Sequence, residues 1–150
     1  MKLIRKTLCV MALGAASMVM AAGASAQEWP LDFGDYWDVA GIHLKDGGSL
    51  KYAQWLAGEW KENQEFAKSK GWIKDYKLLS NAYPRAGEPD MYLITIRESI
   101  VSGAEGRKRT EEYRAWRKKS LAQMVEESGN RAEYREVMSN SLLQEMTFTK

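Results

Sequence analysis

The chain has 150 residues, of which 22 are basic and 20 are acidic, and it contains one cysteine and one histidine. The formal net charge of +2 gives no electrostatic argument for nucleic-acid binding. A single histidine excludes a multi-histidine metal site within one chain, and we predict neither a metal ion nor another cofactor.

Residues 1–26 have the layout of a secretory signal peptide. A basic start is followed by an apolar run over residues 7–22 and by an Ala-Ser-Ala cleavage site at residues 24–26. The run is shorter than the roughly 20 residues that span a bilayer, which favours cleavage over a membrane anchor. Cleavage would leave 124 residues with 19 basic and 20 acidic side chains and no cysteine. We therefore predict a periplasmic or secreted protein without stable membrane insertion after cleavage.

Residues 27–36 (QEWPLDFGDY) contain Pro30 and Gly34 and are predicted to form an irregular arm against a single domain over residues 37–150, or else a flexible tail. Residues 37–44 (WDVAGIHL) are predicted to be the first strand. Alternation places Ala40, Ile42 and Leu44 on one face and Trp37, Val39, Gly41 and His43 on the other. Gly41 leaves a gap that suits close approach of a ligand or another backbone.

A helix is predicted over residues 49–70, with Ser49 as its N-cap and Gly71 as its C-terminal cap. Its apolar residues recur at spacings of three and four, and Trp60 belongs to this inner stripe. Gly58 costs about 1 kcal/mol relative to alanine, unless it permits close contact with a neighbour.

Two further strands are predicted at residues 72–80 and 91–97. The segment between them is longer than a tight turn, so it forms either a flap over a pocket or a surface loop.

A long helix is predicted over residues 107–128 and a short one over 131–139, the latter opened by a capping pair of Asn130 and Glu133. Residues 142–149 are predicted to be the last strand. The order strand, helix, strand, strand, helix, strand predicts an α+β protein, a ferredoxin-like βαββαβ sandwich whose antiparallel sheet carries its helices on one face. The other face also carries apolar residues, and a second subunit would cover it, which predicts a homodimer.

The segments VAGIHLKDG, GWIKDYKLLSN and GEPDMYLITI resemble the dimeric α/β-barrel superfamily. This superfamily includes NIPSNAP-like and EthD-like proteins, antibiotic-biosynthesis-type monooxygenases and uncharacterised secreted bacterial members. The resemblance covers residues 37–150 and implies two ferredoxin-like subunits whose sheets face each other around a cavity. The Asn, Trp and Tyr or His set of its cofactor-free monooxygenases does not map onto this chain, where Trp37 and His43 match in residue type only. The haem-degrading branch needs an axial histidine, usually from a helix, and His43 lies on a predicted strand.

Five residues are candidates for lining such a cavity: Trp37, His43, Tyr76, Thr95 and Arg97. His43 is the one candidate catalytic residue, because imidazole can transfer protons or bind metals near neutral pH; the alternative is a structural histidine. Arg97 suits an anionic group, or else pairs with an acid such as Glu98 or Glu145.

Residues 107–119 (RKRTEEYRAWRKK) are rich in basic side chains. They fit either a polyanion-binding surface or a solvated helix face with intrahelical ion pairs, and the second interpretation is favoured.

Two classes of function follow. One is a non-catalytic envelope protein that binds a small apolar or aromatic ligand in a dimer cavity. The other is a cofactor-independent enzyme of monooxygenase or isomerase type, in which His43 acts with Tyr76 or Trp37. The lack of a catalytic motif favours the first.

Overall fold

The computed structural model describes residues 28–149, so the predicted signal peptide lies outside the described residues. The described chain is an α+β fold, as predicted. Its strands are β1 (Leu31–Leu44), β2 (Asp75–Ser80), β3 (Met91–Arg97) and β4 (Arg135–Phe148). Its helices are α1 (Ser49–Trp55), α2 (Lys61–Ser69), α3 (Gly103–Arg117) and α4 (Leu121–Asn130), with a π-helical turn at Leu56–Trp60 and a 3-10 turn at Arg131–Glu133.

The four strands form one sheet in the order β2-β3-β1-β4, and each neighbouring pair is antiparallel. In the centre of the sheet, Val39 of β1 lies opposite Ile94 of β3, which lies opposite Lys77 of β2. Residues that lie directly opposite one another share a face of the sheet. The register therefore determines which side chains face the helices.

Strand β1 begins at Leu31, so the prediction of an irregular arm is wrong for residues 31–36. These residues pair with the end of β4, where Leu31 lies opposite Phe148 and Phe33 opposite Met146. Pro30 precedes the strand, where its missing N–H group costs no ladder bond, and its carbonyl accepts a hydrogen bond from Thr149 N at 3.0 Å. The register shifts between Phe33 and Tyr36, which places Gly34 at a bulge.

The predicted helix over residues 49–70 is confirmed, although it is interrupted by the π-helical turn and its N-cap is Gly48 rather than Ser49. Its C-terminal cap at Gly71 is confirmed: Gly71 has φ of +67°. Gly71 N donates to Lys68 O at 3.0 Å and Trp72 N donates to Ala67 O at 2.9 Å. These two bonds form a Schellman motif, which glycine favours because it adopts positive φ without steric cost.

The second half of the chain differs from the prediction. The helix predicted over residues 107–128 is divided into α3 and α4 by Lys118, whose φ is +54°. Ser120 opens α4 with a capping box that includes Gln123. The helix predicted over 131–139 is wrong, because residues 135–139 belong to β4 and pair with β1. Pairing with a distant strand overrides the local helical pattern there.

The core lies between the sheet and the helical segment that runs from α1 to α2. Ile42, Tyr52, Leu56 and Trp60 form its buried cluster, and Leu93 packs against them. Tyr52 is 1% exposed, and burial raises the pKa of its hydroxyl to about 12 because the charged phenolate is cut off from water. Helix α3 lies beside α2, where the rings of Phe66 and Trp116 stack with centroids 4.2 Å apart. Among the described residues, no helix has both the length and the apolar character needed to cross a bilayer.

Candidate functional site

The five predicted site residues lie on two sides of the sheet. Tyr76 of β2 lies opposite Thr95 of β3, and Thr95 Oγ1 donates to Gln64 Oε1 of α2 at 3.3 Å. Arg97 follows Thr95 by two residues and shares its side. Trp37 and His43 alternate with the core residue Ile42 and lie on the opposite side. The structure therefore brings together Tyr76, Thr95 and Arg97 and separates them from Trp37 and His43.

An almost wholly apolar cavity of about 420 Å³ lies between the α1–α2 segment and strands β2 and β3. Among the residues that line it are Leu56, Ala57, Trp60, Tyr76, Leu78 and Met91. Besides the indole of Trp60, Lys61 and Tyr76 are the two lining residues whose side chains carry a polar group. We call this space the apolar cavity.

Trp60 forms one wall of the apolar cavity and is 7% exposed. Its ring meets the ring of Tyr76 edge-on, with centroids 5.3 Å apart. The Tyr76 hydroxyl donates to Glu65, and this hydrogen bond to a carboxylate raises the pKa of Tyr76. Trp60 closes the π-helical turn that contains Gly58, and such turns recur at functional sites. The sequence predicts Trp60 only as part of the core stripe of the helix. Gly58 in the middle of that helix is the sequence feature that indicates an irregular helix here.

A second cavity, of about 410 Å³, lies on the other side of Trp60 and is more polar. Asp38, Thr95 and Asn140 line it beside Leu93. Asp38 also forms an ion pair with Arg97. The sequence anticipated that Arg97 would pair with an acid, and the acid is on β1 rather than at Glu98 or Glu145.

His43 Nδ1 lies 2.8 Å from Asp90 Oδ2. The same carboxylate oxygen accepts from Leu44 N at 2.7 Å, and Asp90 N donates to Ile42 O at 2.9 Å, so the backbone holds Asp90 in place. The 81–90 segment lines a cavity of about 360 Å³, to which Arg85, Glu88 and His43 all contribute. Asp90 was not among the predicted site residues, because no local pattern connects it to a histidine 47 positions away.

The gap predicted beside Gly41 is filled by the 81–90 segment and by β4. A Cβ atom at Gly41 would lie 2.5 Å from Ser139 Oγ and 2.6 Å from Pro89 Cγ. This close approach of two side chains, rather than of a ligand, accounts for the glycine. No serine, threonine or cysteine is among the described residues that line the His43 cavity, so those residues supply no hydroxyl or thiol nucleophile to the His43–Asp90 pair.

The basic stretch of α3 is partly neutralised by ion pairs. Arg109 Nε lies 2.8 Å from Glu105 Oε1, as the spacing predicted, and Arg117 Nη2 lies 3.1 Å from Glu59 Oε2. Lys119 Nζ lies 2.6 Å from Glu127 Oε1 of α4. These contacts favour a structural use of the stretch over a polyanion-binding surface.

Among the residues that the structure describes, no group of three or more metal-ligating side chains is placed to hold a metal ion. Comparison of the chain with protein-family models, curated proteins and solved structures found no match.

Proposed function

We propose that the protein binds a small, neutral apolar or aromatic molecule in the apolar cavity. The observation that carries this proposal is a space of about 420 Å³ with apolar walls, since small-molecule sites are mostly apolar concavities with a few polar groups. The space lies within one chain, so binding does not depend on a second copy. The leader-like sequence of residues 1–26 supports a site of action in the periplasm or outside the cell.

The walls define what the cavity would hold. Trp60 and Tyr76 offer aromatic surfaces at the helix and strand sides, and Lys61 and the Tyr76 hydroxyl can orient one polar group of the ligand. Burying about 150 Å² of apolar ligand surface contributes roughly 4 kcal/mol at about 25 cal/mol per Å². That contribution alone corresponds to a dissociation constant of about 1 mM, so we expect a simple aromatic probe to bind weakly and a larger probe that buries more surface to bind more tightly.

Binding can be tested with the neutral fluorophore N-phenyl-1-naphthylamine, whose emission rises in apolar surroundings. Leu78 lines the apolar cavity and is 46% exposed, so Leu78→Asn changes the wall without removing a buried core residue. We expect it to weaken binding about tenfold through the lost apolar contact. The matched control is Leu79→Asn, since Leu79 is 49% exposed and points to the opposite side of β2. Equal affinities for the two variants, or no emission change with the parent protein, would contradict the proposal.

We also propose that the chain is a ferredoxin-like sandwich of the dimeric α/β-barrel type. The strand order β2-β3-β1-β4 with antiparallel neighbours, and the α1–α2 segment against one sheet face, support it. Leu79 and Leu143 are about half exposed on the side that carries Trp37, which favours coverage by a second copy. A strict monomer at micromolar concentration in sedimentation experiments would refute the dimer.

The alternative function is a cofactor-independent enzyme that uses His43. The observation in its favour is the 2.8 Å contact between His43 and Asp90, because a carboxylate that orients an imidazole prepares it as a general base. We expect His43→Ala to abolish turnover of any substrate found by screening, and Asp90→Asn to reduce it strongly. Turnover by His43→Ala at the parent rate would eliminate this alternative.

A further inference from the structure

A fourth cavity, of about 350 Å³, lies between α2, α3 and strand β3. Its polar lining includes the guanidinium groups of Arg97 and Arg109, the amides of Asn63 and Gln64, and the hydroxyl of Thr95. No aspartate or glutamate is among the described residues that line it. We call it the arginine cavity: its lining holds two cations, and the acids that pair with them, Asp38 and Glu105, lie outside the lining.

Arg97 is incompletely partnered. Its Nη2 group contacts Asp38, which lines the neighbouring cavity beside Trp60 and not the arginine cavity. Its Nε group is buried and has no hydrogen-bond partner among the described residues. A ligand in the cavity would therefore bind the accessible part of the Arg97 side chain, which is 31% exposed, and not this buried atom.

Arg109 provides the second cation. Its Nε group donates to Glu105 Oε1 at 2.8 Å, and its guanidinium carbon lies 5.7 Å from the centre of the Trp72 ring. Burial and the nearby positive charge of Arg109 lower the pKa of Arg97, in that order of importance. Two cations that face the same space without an acid between them favour occupation by an anion.

The remaining walls define the rest of the ligand. Trp72, Ile73, Ala67 and Tyr113 provide aromatic and aliphatic surface around the two guanidinium groups. Because Arg97 and Arg109 each already contact one carboxylate, the four charges sum to zero, which favours a singly charged ligand over a phosphate dianion.

We propose that the arginine cavity is a binding site for the carboxylate of a small aromatic acid. The accessible parts of the Arg97 and Arg109 guanidinium groups receive the carboxylate, and the aromatic ring lies against Trp72 and Tyr113. Planar guanidinium groups match carboxylate oxygens in both charge and geometry. The site is separate from the apolar cavity and does not depend on the function proposed for it.

The test compares 2-naphthoate with its neutral isostere 2-naphthamide by isothermal titration calorimetry on the full protein. We expect the amide to bind at least about tenfold more weakly than naphthoate. We expect Arg97→Gln and Arg109→Gln each to lower the affinity for naphthoate by about tenfold or more, because charge-assisted hydrogen bonds are lost. Lys108→Gln is the matched control: Lys108 is an exposed cation on α3 outside the cavity lining, and its loss should change affinity less than twofold.

Several outcomes would overturn the site. These are equal binding of the amide, unchanged affinity in both arginine variants, tighter binding of 2-naphthyl phosphate, or displacement of N-phenyl-1-naphthylamine by naphthoate. Displacement would place both probes in the apolar cavity. If N-phenyl-1-naphthylamine does not bind but naphthoate does, only the function proposed above is rejected. If Arg97→Gln lowers the melting temperature strongly, Arg109→Gln with a parent-like melting curve decides the result.

Discussion

Replacing Trp60 by alanine is expected to lower the free energy of unfolding by about 3–5 kcal/mol. Trp60 is 7% exposed, belongs to the buried cluster with Ile42, Tyr52 and Leu56, and separates two cavities. Removing its indole loses the transfer energy of a large aromatic group and joins the two spaces into one larger void. Urea denaturation followed by circular dichroism measures the change.

Two control variants make the Trp60 experiment specific. Trp29 is 63% exposed, so Trp29→Ala should change stability by no more than about 0.5 kcal/mol. Trp60→Phe keeps a ring against Tyr76 and should lose clearly less than the alanine variant. A loss below about 1.5 kcal/mol in Trp60→Ala would mean that the core does not depend on this residue.

Features with strong local causes were predictable from the sequence. The strand Met91–Arg97 has the predicted bounds, and the helix over residues 49–69 is close to its predicted range, because alternation and helical spacing act within a short stretch. Gly71 was recognised as a cap since its place after a long apolar stripe requires a residue that tolerates positive φ.

Features that depend on distant partners were not predictable. Residues 31–36 form a strand because they pair with the end of β4, and residues 135–139 form one because they pair with the end of β1. The partners lie about a hundred positions away in the sequence, and neither segment has a decisive pattern of its own. Pairing between β1 and β3 was not specified by the pattern, so Thr95 and Arg97 were placed in one site with Trp37 and His43.

The candidate sites follow the same rule. In the sequence, Trp60 does not differ from the other residues of the core stripe. In the structure, it ends the π-helical turn and lines two cavities. Arg97 of β3 and Arg109 of α3 line one cavity because α2 and α3 lie beside β3, which sequence spacing does not specify. The sequence could name residue types with suitable chemistry, whereas their grouping required the tertiary structure.

Gly48→Ala is expected to destabilise the protein by about 1–3 kcal/mol, towards the upper end of that range. Gly48 is buried and has φ of −84°, which alanine adopts freely, so the cause is lack of space rather than backbone conformation. A Cβ atom there would lie 2.3 Å from the carbonyl oxygen of Tyr134. That oxygen accepts from Lys45 N at 3.1 Å, and moving it would disturb the connection between the end of β1 and the start of β4.

Gly58→Ala is the matched control for Gly48→Ala, because no described atom beyond the neighbouring residues and the local helix backbone lies within 4 Å of the position its Cβ would take. The helix should gain about 0.5–1 kcal/mol there, since alanine restricts the unfolded chain and favours helix. The same substitution is thus expected to have opposite signs at the two sites, and chemical denaturation of both variants measures them. If Gly48→Ala were as stable as the parent, the contact between Gly48 and Tyr134 would not hold the first strand, the first helix and the last strand together.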